Sequence, residues 1–147
     1  MRVFLSWSGE RSREAAVTLH DWLQLVMPTS FAPWMSARDI ETGSPWATEL
    51  AQRLEEMDAG ISVLMPENLD SPWLNFEARA IGKAFAEFRV MTFLIGLRPT
   101  DVPQPLAQFQ STTRSFEDVL SMMATLNAAT PTPVRDPEVL RRLVERW

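Results

Sequence analysis

Much of the chain alternates between short apolar runs and longer segments with helical spacing. Residues 3–7 form an apolar run that a Ser-Gly pair ends, and such a run predicts a buried strand. Over residues 11–26 the apolar positions recur every three or four residues, which predicts an amphipathic helix that ends before Pro28. The apolar positions of this helix are Ala15, Ala16, Leu19, Trp22, Leu23 and Val26.

Further apolar runs predict the remaining strands. They occupy residues 31–34, residues 60–65 and residues 90–95. The first of these runs includes Pro33, and Pro66 follows directly after the second. The run at 90–95 is almost continuously apolar, as is typical of parallel strands that are buried on both faces. A weaker run at 111–114 predicts a last strand, and a polar loop occupies residues 35–43.

Two helices are predicted to begin at the same tripeptide, Ser-Pro-Trp, which starts at Ser44 and again at Ser71. Serine caps the free amide groups of a helix, and proline fits the first helical position because no acceptor awaits its missing N–H. A further helix is predicted over residues 116–127. The resulting order of strands and helices predicts an α/β fold with a five-stranded parallel sheet and helices on both faces.

The end of the chain is predicted to be distinct from the domain at residues 1–128. Residues 129–147 form a Pro-rich connector and a short helix opened by Asp136 and Pro137. The apolar stripe of this helix must dock on its own domain or on another one, which suggests a sensor or oligomerisation module as a partner. The stripe consists of Leu140, Leu143, Val144 and Trp147.

Composition excludes several classes of site. The 147 residues include no Cys and one His, His20, so disulfides, thiolate metal sites and most His-dependent catalysis are excluded and no metal is expected. A net charge of −5 disfavours direct nucleic-acid binding. Without an apolar run of about 18–20 residues or a signal peptide, we expect a cytoplasmic protein that does not contact a membrane. The Walker and Rossmann glycine motifs are absent, and Ser6-Trp7-Ser8 stands where a phosphoreceiver needs acids.

Glu77 is the residue most indicative of function. It falls on the inward stripe of the helix predicted to begin after Ser71, where a carboxylate is costly to bury unless it is paired or faces a pocket. Trp73 lies one turn earlier on the same face, near the edge at which open parallel sheets bind ligands. The alternative is a structural glutamate that pairs with Arg79 or Arg38.

Other polar residues are weaker candidates for substrate binding. Ser6, Trp7 and Ser8 occupy the predicted turn between the first strand and helix, where hydroxyls and helix amides can hold a phosphate. The alternative is that Ser8 only caps this helix. Asp39 and Glu41 could orient a ribose hydroxyl, or they could be solvated loop acids.

In chain order, several motifs together resemble a bacterial TIR (Toll/interleukin receptor) domain over residues 1–127. These motifs are Val3-Phe4-Leu5-Ser6-Trp7-Ser8, Pro33-Trp34-Met35-Ser36, Asp39-Ile40 with Gly43 and Trp46, Asn68, and Trp73 with Glu77. The resemblance implies a flavodoxin-like fold and cleavage of NAD+, as substrate and not as cofactor, at the nicotinamide–ribose bond. The products would be nicotinamide and ADP-ribose or its cyclised isomer, in anti-phage defence.

The resemblance also implies roles for individual residues. The catalytic glutamate of the family maps onto Glu77, its tryptophan onto Trp73 and its loop acid onto Glu41, with Trp34 and Asp39 beside the substrate. The loop at residues 34–44 would mediate self-association. Two alternatives stay open: a non-catalytic TIR scaffold for protein assembly, and a nucleoside-transferring enzyme of similar topology that also uses a lone glutamate.

Overall fold

A computed structural model describes residues 1–27, 31–35, 52, 56–72, 74 and 89–145. Within these residues the chain forms five strands and three helices, and Gln52, Pro72 and Leu74 are also helical. The strands are β1 (Arg2–Ser6), β2 (Ala32–Met35), β3 (Ala59–Leu64), β4 (Arg89–Leu94) and β5 (Gln110–Thr112). The helices are α1 (Glu10–Val26), α2 (Phe116–Ala128) and α3 (Pro137–Val144).

The five strands form one parallel sheet in the order β2-β1-β3-β4-β5. The predicted α/β fold is therefore confirmed, with each strand displaced from its expected range by about one residue. Pro33 lies in β2, and β2 is an edge strand, which is where a residue without an N–H is tolerated. The helix boundary predicted at Ser71 is confirmed because Pro72 is helical, whereas the boundary predicted at Ser44 lies outside the described residues.

Apolar side chains cover both faces of the sheet. Successive residues of a strand point to opposite faces, so Val63 belongs to one hydrophobic cluster and Leu64 to another. Helices α1, α2 and α3 all contribute to the cluster that contains Val63, which we call the main core. Leu74 belongs to the second cluster together with Leu64 and Leu94, so a helical residue packs on this face as well.

The C-terminal helix α3 packs on the main core. Asp136 caps it by accepting a hydrogen bond from the Glu138 N–H at 2.9 Å. Leu140 is 5% exposed and Val144 is fully buried, and both belong to the main core. Of the two alternatives for this stripe, packing on its own chain therefore holds for these two side chains, which removes their support for a sensor or oligomerisation module as a partner. Trp147 lies outside the described residues, and the domain boundary predicted at 128 stays a prediction.

The connector between α2 and α3 is held by a buried amide. The Asn127 side chain accepts a hydrogen bond from the Val134 N–H at 2.9 Å and donates one to the Val134 carbonyl at 2.8 Å. Asn127 is 6% exposed. These two hydrogen bonds fix where the chain turns towards α3.

Candidate functional site

The chain reverses its winding direction between β1 and β3, which are neighbours in the sheet. After β1 it enters α1, which packs on the main core. After β3 it leads to the helical residues Pro72 and Leu74, and Leu74 packs on the opposite face. In open parallel sheets the loops diverge at such a point and leave a crevice beyond the strand ends, where ligands bind. The topology therefore places the candidate site between the loops that follow β1 and β3.

A buried amide joins these two loops. Asn68 ends the 3-10 turn Pro66–Asn68 that follows β3, and it is 5% exposed. Its side-chain oxygen accepts a hydrogen bond from the Met65 N–H at 2.8 Å. Its side-chain nitrogen donates to the carbonyl of Val63 at 3.1 Å and, in the loop after β1, to the carbonyl of Ser8 at 3.2 Å. Asn68 thus closes its own turn and connects that turn to the neighbouring loop.

Two serine hydroxyls add to this connection. The Ser71 hydroxyl donates a hydrogen bond to the hydroxyl oxygen of Ser8 at 2.9 Å, and both residues are partly buried. Ser12, which is buried in α1, donates to the Val63 carbonyl at 3.1 Å and accepts from the Ser8 N–H at 3.4 Å. We call Ser8, Ser12, Asn68 and Ser71 the polar seam.

Ser8 does not cap α1. The N-cap is Gly9, with φ of 86° and ψ of 156°, and it makes no side-chain capping hydrogen bond. This backbone conformation is essentially restricted to glycine. The alternative interpretation of Ser8 as a helix cap is therefore wrong, because Gly9 separates Ser8 from the helix and leaves its hydroxyl in the polar seam.

An ion pair at the surface also connects α1 with the turn that follows β3. Arg11 in α1 donates to the carboxylate of Glu67 at 2.7 Å, and their side chains are 73% and 44% exposed. Water screens an exposed pair of this kind, so it contributes about 1 kcal/mol or less to stability. The buried hydrogen bonds of the polar seam are therefore the stronger constraint on the two loops.

The structure separates the other described candidates from Ser8. Ser6 is fully buried on the face of the sheet opposite the main core. It belongs to an in-register row of hydroxyl side chains on β1, β3, β4 and β5. The row consists of Ser6, Ser62, Thr92 and Ser111, and the Thr92 hydroxyl donates to that of Ser111 at 3.2 Å. Trp7 is 7% exposed and packs in the main core. Trp34 stacks on Phe4 with ring centroids 5.4 Å apart.

Four of the predicted site residues, Trp73, Glu77, Asp39 and Glu41, lie outside the described residues, so their roles stay predictions. Among the residues that are described, no group of three or more His, Cys, Asp and Glu side chains could hold a metal ion. No helix in that part of the chain is long and apolar enough to cross a bilayer.

Two carboxylates beyond β4 and β5 are held in the ionised form. The Arg98 guanidinium lowers the pKa of Asp101 chiefly through a side-chain hydrogen bond. Hydrogen bonds from the hydroxyl and N–H of Thr113 lower the pKa of Asp118. Groups with lowered pKa values are poor general acids at neutral pH. Both carboxylates therefore stabilise turns and do not suit proton donation to a substrate.

The sequence does not show the hydrogen-bonding role of the polar seam. Asn68 belongs to one of the motifs that resemble a TIR domain, and Ser12 is a polar residue within the predicted helix at residues 11–26. The available signal was an amide residue shortly after a buried strand, followed by the Ser71 cap. A bond such as Asn68 to Ser8 joins residues 60 positions apart, which no local pattern shows.

Comparisons with known proteins agree with this fold. The family model for the TIR domain matches residues 3–121. A similar solved structure is that of the TIR domains in the activated Roq1 resistosome, which directly recognises the pathogen effector XopQ. The two structures superpose with a TM-score of 0.53 at 18% sequence identity. The match covers 98% of the present chain and 83% of the Roq1 chain, and at this identity it shows a similar fold only. No curated protein matches the chain.

Proposed function

Since this chain belongs to the TIR domain family, we propose that it is an NAD+ glycohydrolase that serves bacterial anti-phage defence. It cleaves the bond between nicotinamide and ribose and releases nicotinamide. Water then takes up the ribosyl group to give ADP-ribose, or a nitrogen of the adenine takes it up to give cyclic ADP-ribose, and one proton is released in either case. The observation that carries the proposal is the family match over residues 3–121, which includes Trp73 and Glu77.

The proposed chemistry requires one carboxylate. As nicotinamide leaves, positive charge develops on the ribose, and the Glu77 carboxylate stabilises this oxocarbenium-like centre or captures it. Nicotinamide departs as a neutral base, so a second carboxylic acid is not needed to protonate it. The indole of Trp73 provides an aromatic face for the cationic nicotinamide ring of the substrate.

The described part of the structure supports a location for this chemistry. The crevice between β1 and β3 lies where the chain enters the helix at Pro72, and Glu77 follows five positions later in the sequence. Ser8 is partly buried at this edge, and its hydroxyl can bind a phosphate or ribose oxygen. We propose that Trp34, Asp39 and Glu41 complete the substrate-binding side. Ser6 and Trp7 would contribute backbone groups, because their side chains are buried.

Self-association is part of the proposal. The Roq1 TIR domains are found in an activated resistosome. We extend assembly to this chain through the loop at residues 34–44, so that the active site is completed between neighbouring copies. The experiment that tests the proposed activity therefore compares the protein alone with a form that is held in an oligomer.

That experiment incubates NAD+ with the protein, with and without fusion to an oligomerising coiled coil, and identifies the products by mass spectrometry. We expect nicotinamide with linear or cyclic ADP-ribose from the clustered protein, and at least about a hundredfold less from Glu77→Gln. The matched control is Glu56→Gln, because Glu56 precedes β3 at the opposite edge of the sheet and forms an exposed ion pair with Arg2 at 3.2 Å. This control should keep its activity within about twofold.

Three outcomes contradict the proposal in different ways. Equal turnover by Glu77→Gln and wild type at the same assembly state removes Glu77 from the mechanism. A clustered, folded protein that leaves NAD+ intact supports the scaffold alternative. Release of free base from nucleosides but not from NAD+ supports the nucleoside-transferring alternative.

A further inference from the structure

Asn68 uses both its side chain and its backbone to hold the segment that follows β3. Besides its three side-chain hydrogen bonds, its N–H donates to the Met65 carbonyl at 3.1 Å. Its carbonyl accepts from the Ser71 N–H at 3.0 Å. Ser71 directly precedes the helical residue Pro72. The place at which this helix begins is therefore set by hydrogen bonds to Asn68.

The Ser8 end of the connection belongs to the other side of the crevice. Ser8 joins β1 to α1 through Gly9, and it receives hydrogen bonds from the Asn68 amide and the Ser71 hydroxyl. Each of these bonds links the loop after β1 to the segment just before Pro72, where the helix predicted to carry Glu77 begins. The distance between these two segments is thus set by the polar seam and not only by the sheet.

We propose that Asn68 is a positioning residue of the nicotinamide-releasing site, an inference that rests on the proposed function. It does not touch the substrate. It holds the start of the helix at Pro72 against Ser8. The sequence predicts Glu77 on this helix, so in this proposal Asn68 sets the distance between the predicted carboxylate and the loop that binds the remainder of NAD+. Small displacements of a reacting group lower rates strongly, because catalysis requires close alignment of the reacting atoms.

Asn68→Asp breaks the connection selectively. The retained side-chain oxygen still accepts from the Met65 N–H, so the turn can form. The new carboxylate oxygen faces the carbonyls of Val63 and Ser8, where the amide formerly donated at 3.1 and 3.2 Å, and it repels both. The variant therefore breaks the contact between the loops, and it keeps the Met65 hydrogen bond of the turn while losing the one to Val63.

The chain contains a matched control in Asn127. This side chain is equally buried, and it likewise accepts from a backbone N–H and donates to a backbone carbonyl, both of Val134. It lies at the end of α2, outside the polar seam. Asn127→Asp therefore makes the same chemical change in a similar environment, so that the general effect of a buried charge can be subtracted.

The test measures kcat and KM for NAD+ with clustered wild type, Asn68→Asp and Asn127→Asp, at a temperature where all three are folded by circular dichroism. We expect Asn68→Asp to lower kcat at least about tenfold with KM changed less than about threefold, because binding is spread over many contacts whereas the reaction depends on one carboxylate. Asn127→Asp should lower Tm similarly and keep kcat within about twofold.

A second pair of variants replaces the first pair if either aspartate variant does not fold. In Asn68→Ser the shorter hydroxyl can still accept from the Met65 N–H but does not reach Ser8, and Asn127→Ser is its control. Equal kcat within either foldable pair overturns the role of Asn68 while the proposed function stands. Wild type that releases no nicotinamide at any assembly state overturns the proposed function and the positioning role together, and the wild-type measurement alone distinguishes that case from equal kcat within a variant pair.

Discussion

The conformation of Gly9 decides what the neighbouring Ser8 can do. Because Gly9 has φ of 86°, the chain turns sharply between β1 and α1, and the Ser8 hydroxyl contacts Ser71 instead of the helix amides. The strand and the helix around it were both predicted from apolar spacing. The direction of this one side chain was not, since it depends on a backbone angle that only glycine tolerates at low energy.

Gly9→Ala tests this turn. An added Cβ would meet no atom within 4 Å, so the expected loss comes from backbone strain and not from a clash. We expect the free energy of unfolding to fall by about 1–3 kcal/mol, measured by urea denaturation. Glu14→Ala, at an exposed position within α1, should change it by less than about 0.5 kcal/mol. Equal effects of the two substitutions would contradict the strain argument.

Asp118 makes a pH-dependent contribution to stability. Its pKa is lowered by hydrogen bonds from Thr113, so the ionised form stabilises the folded state. This contribution is fully present above the unfolded pKa of about 3.9 and is lost as the pH falls through that value towards the folded pKa. Asp118→Asn should therefore be less stable than wild type at pH 7, by about 1 kcal/mol or less because water still reaches and screens the partly exposed carboxylate.

Urea unfolding of both proteins between about pH 7 and pH 3 checks this expectation. The stability difference should shrink below about pH 4, where the wild-type carboxylate becomes protonated. A difference that stays constant over the whole range would show that ionisation of Asp118 does not contribute.

Among the elements, α3 packs on the main core and on α2. Its two innermost side chains, Leu140 and Val144, belong to the main core. Arg141 lies over the ring of Phe116 at 4.8 Å and approaches the Glu117 carboxylate at 3.6 Å, which adds contacts between α3 and α2. The apolar stripe was visible in the sequence, but periodicity cannot say which surface a stripe covers.

Leu140→Ala should lower the free energy of unfolding by about 2–5 kcal/mol, because it leaves a cavity in a packed core. The neighbouring Val139 is 43% exposed, so Val139→Ala should cost less than about 1 kcal/mol. Chemical denaturation of the two variants provides the comparison. If both unfold at the wild-type urea concentration, α3 does not stabilise the domain.

At the scale of the whole molecule, the proposed activity depends on assembly. If neighbouring copies complete the site, the rate per protein molecule rises with concentration and reaches a plateau once assembly is complete. Nicotinamide release measured over a wide range of protein concentrations checks this, with the Glu77→Gln coiled-coil fusion as the blank. A rate per molecule that is constant at all concentrations would mean that one copy forms the site alone.

The candidate site was predicted only in part. Spacing indicated the helix after Ser71 and the edge of the sheet at which a ligand binds, because both follow from capping and from parallel topology. It grouped Ser6, Trp7 and Ser8 as one turn, yet these side chains point to the second face, the main core and the polar seam respectively. Ser6 and Trp7 diverge because successive residues of extended chain point to opposite faces, and Ser8 leaves this alternation at the turn formed with Gly9.

Local patterns in the sequence were enough to predict the order of the described strands and helices, because apolar periodicity, proline and serine caps act over a few neighbouring residues. They were also enough to predict the parallel sheet, since short connections between alternating strands and helices permit few topologies. The packing of α3 on the main core and the hydrogen bond from Asn68 to the Ser8 carbonyl became visible only in three dimensions. These contacts join residues far apart in the chain, and their partners are selected by packing in three dimensions, which local patterns do not encode.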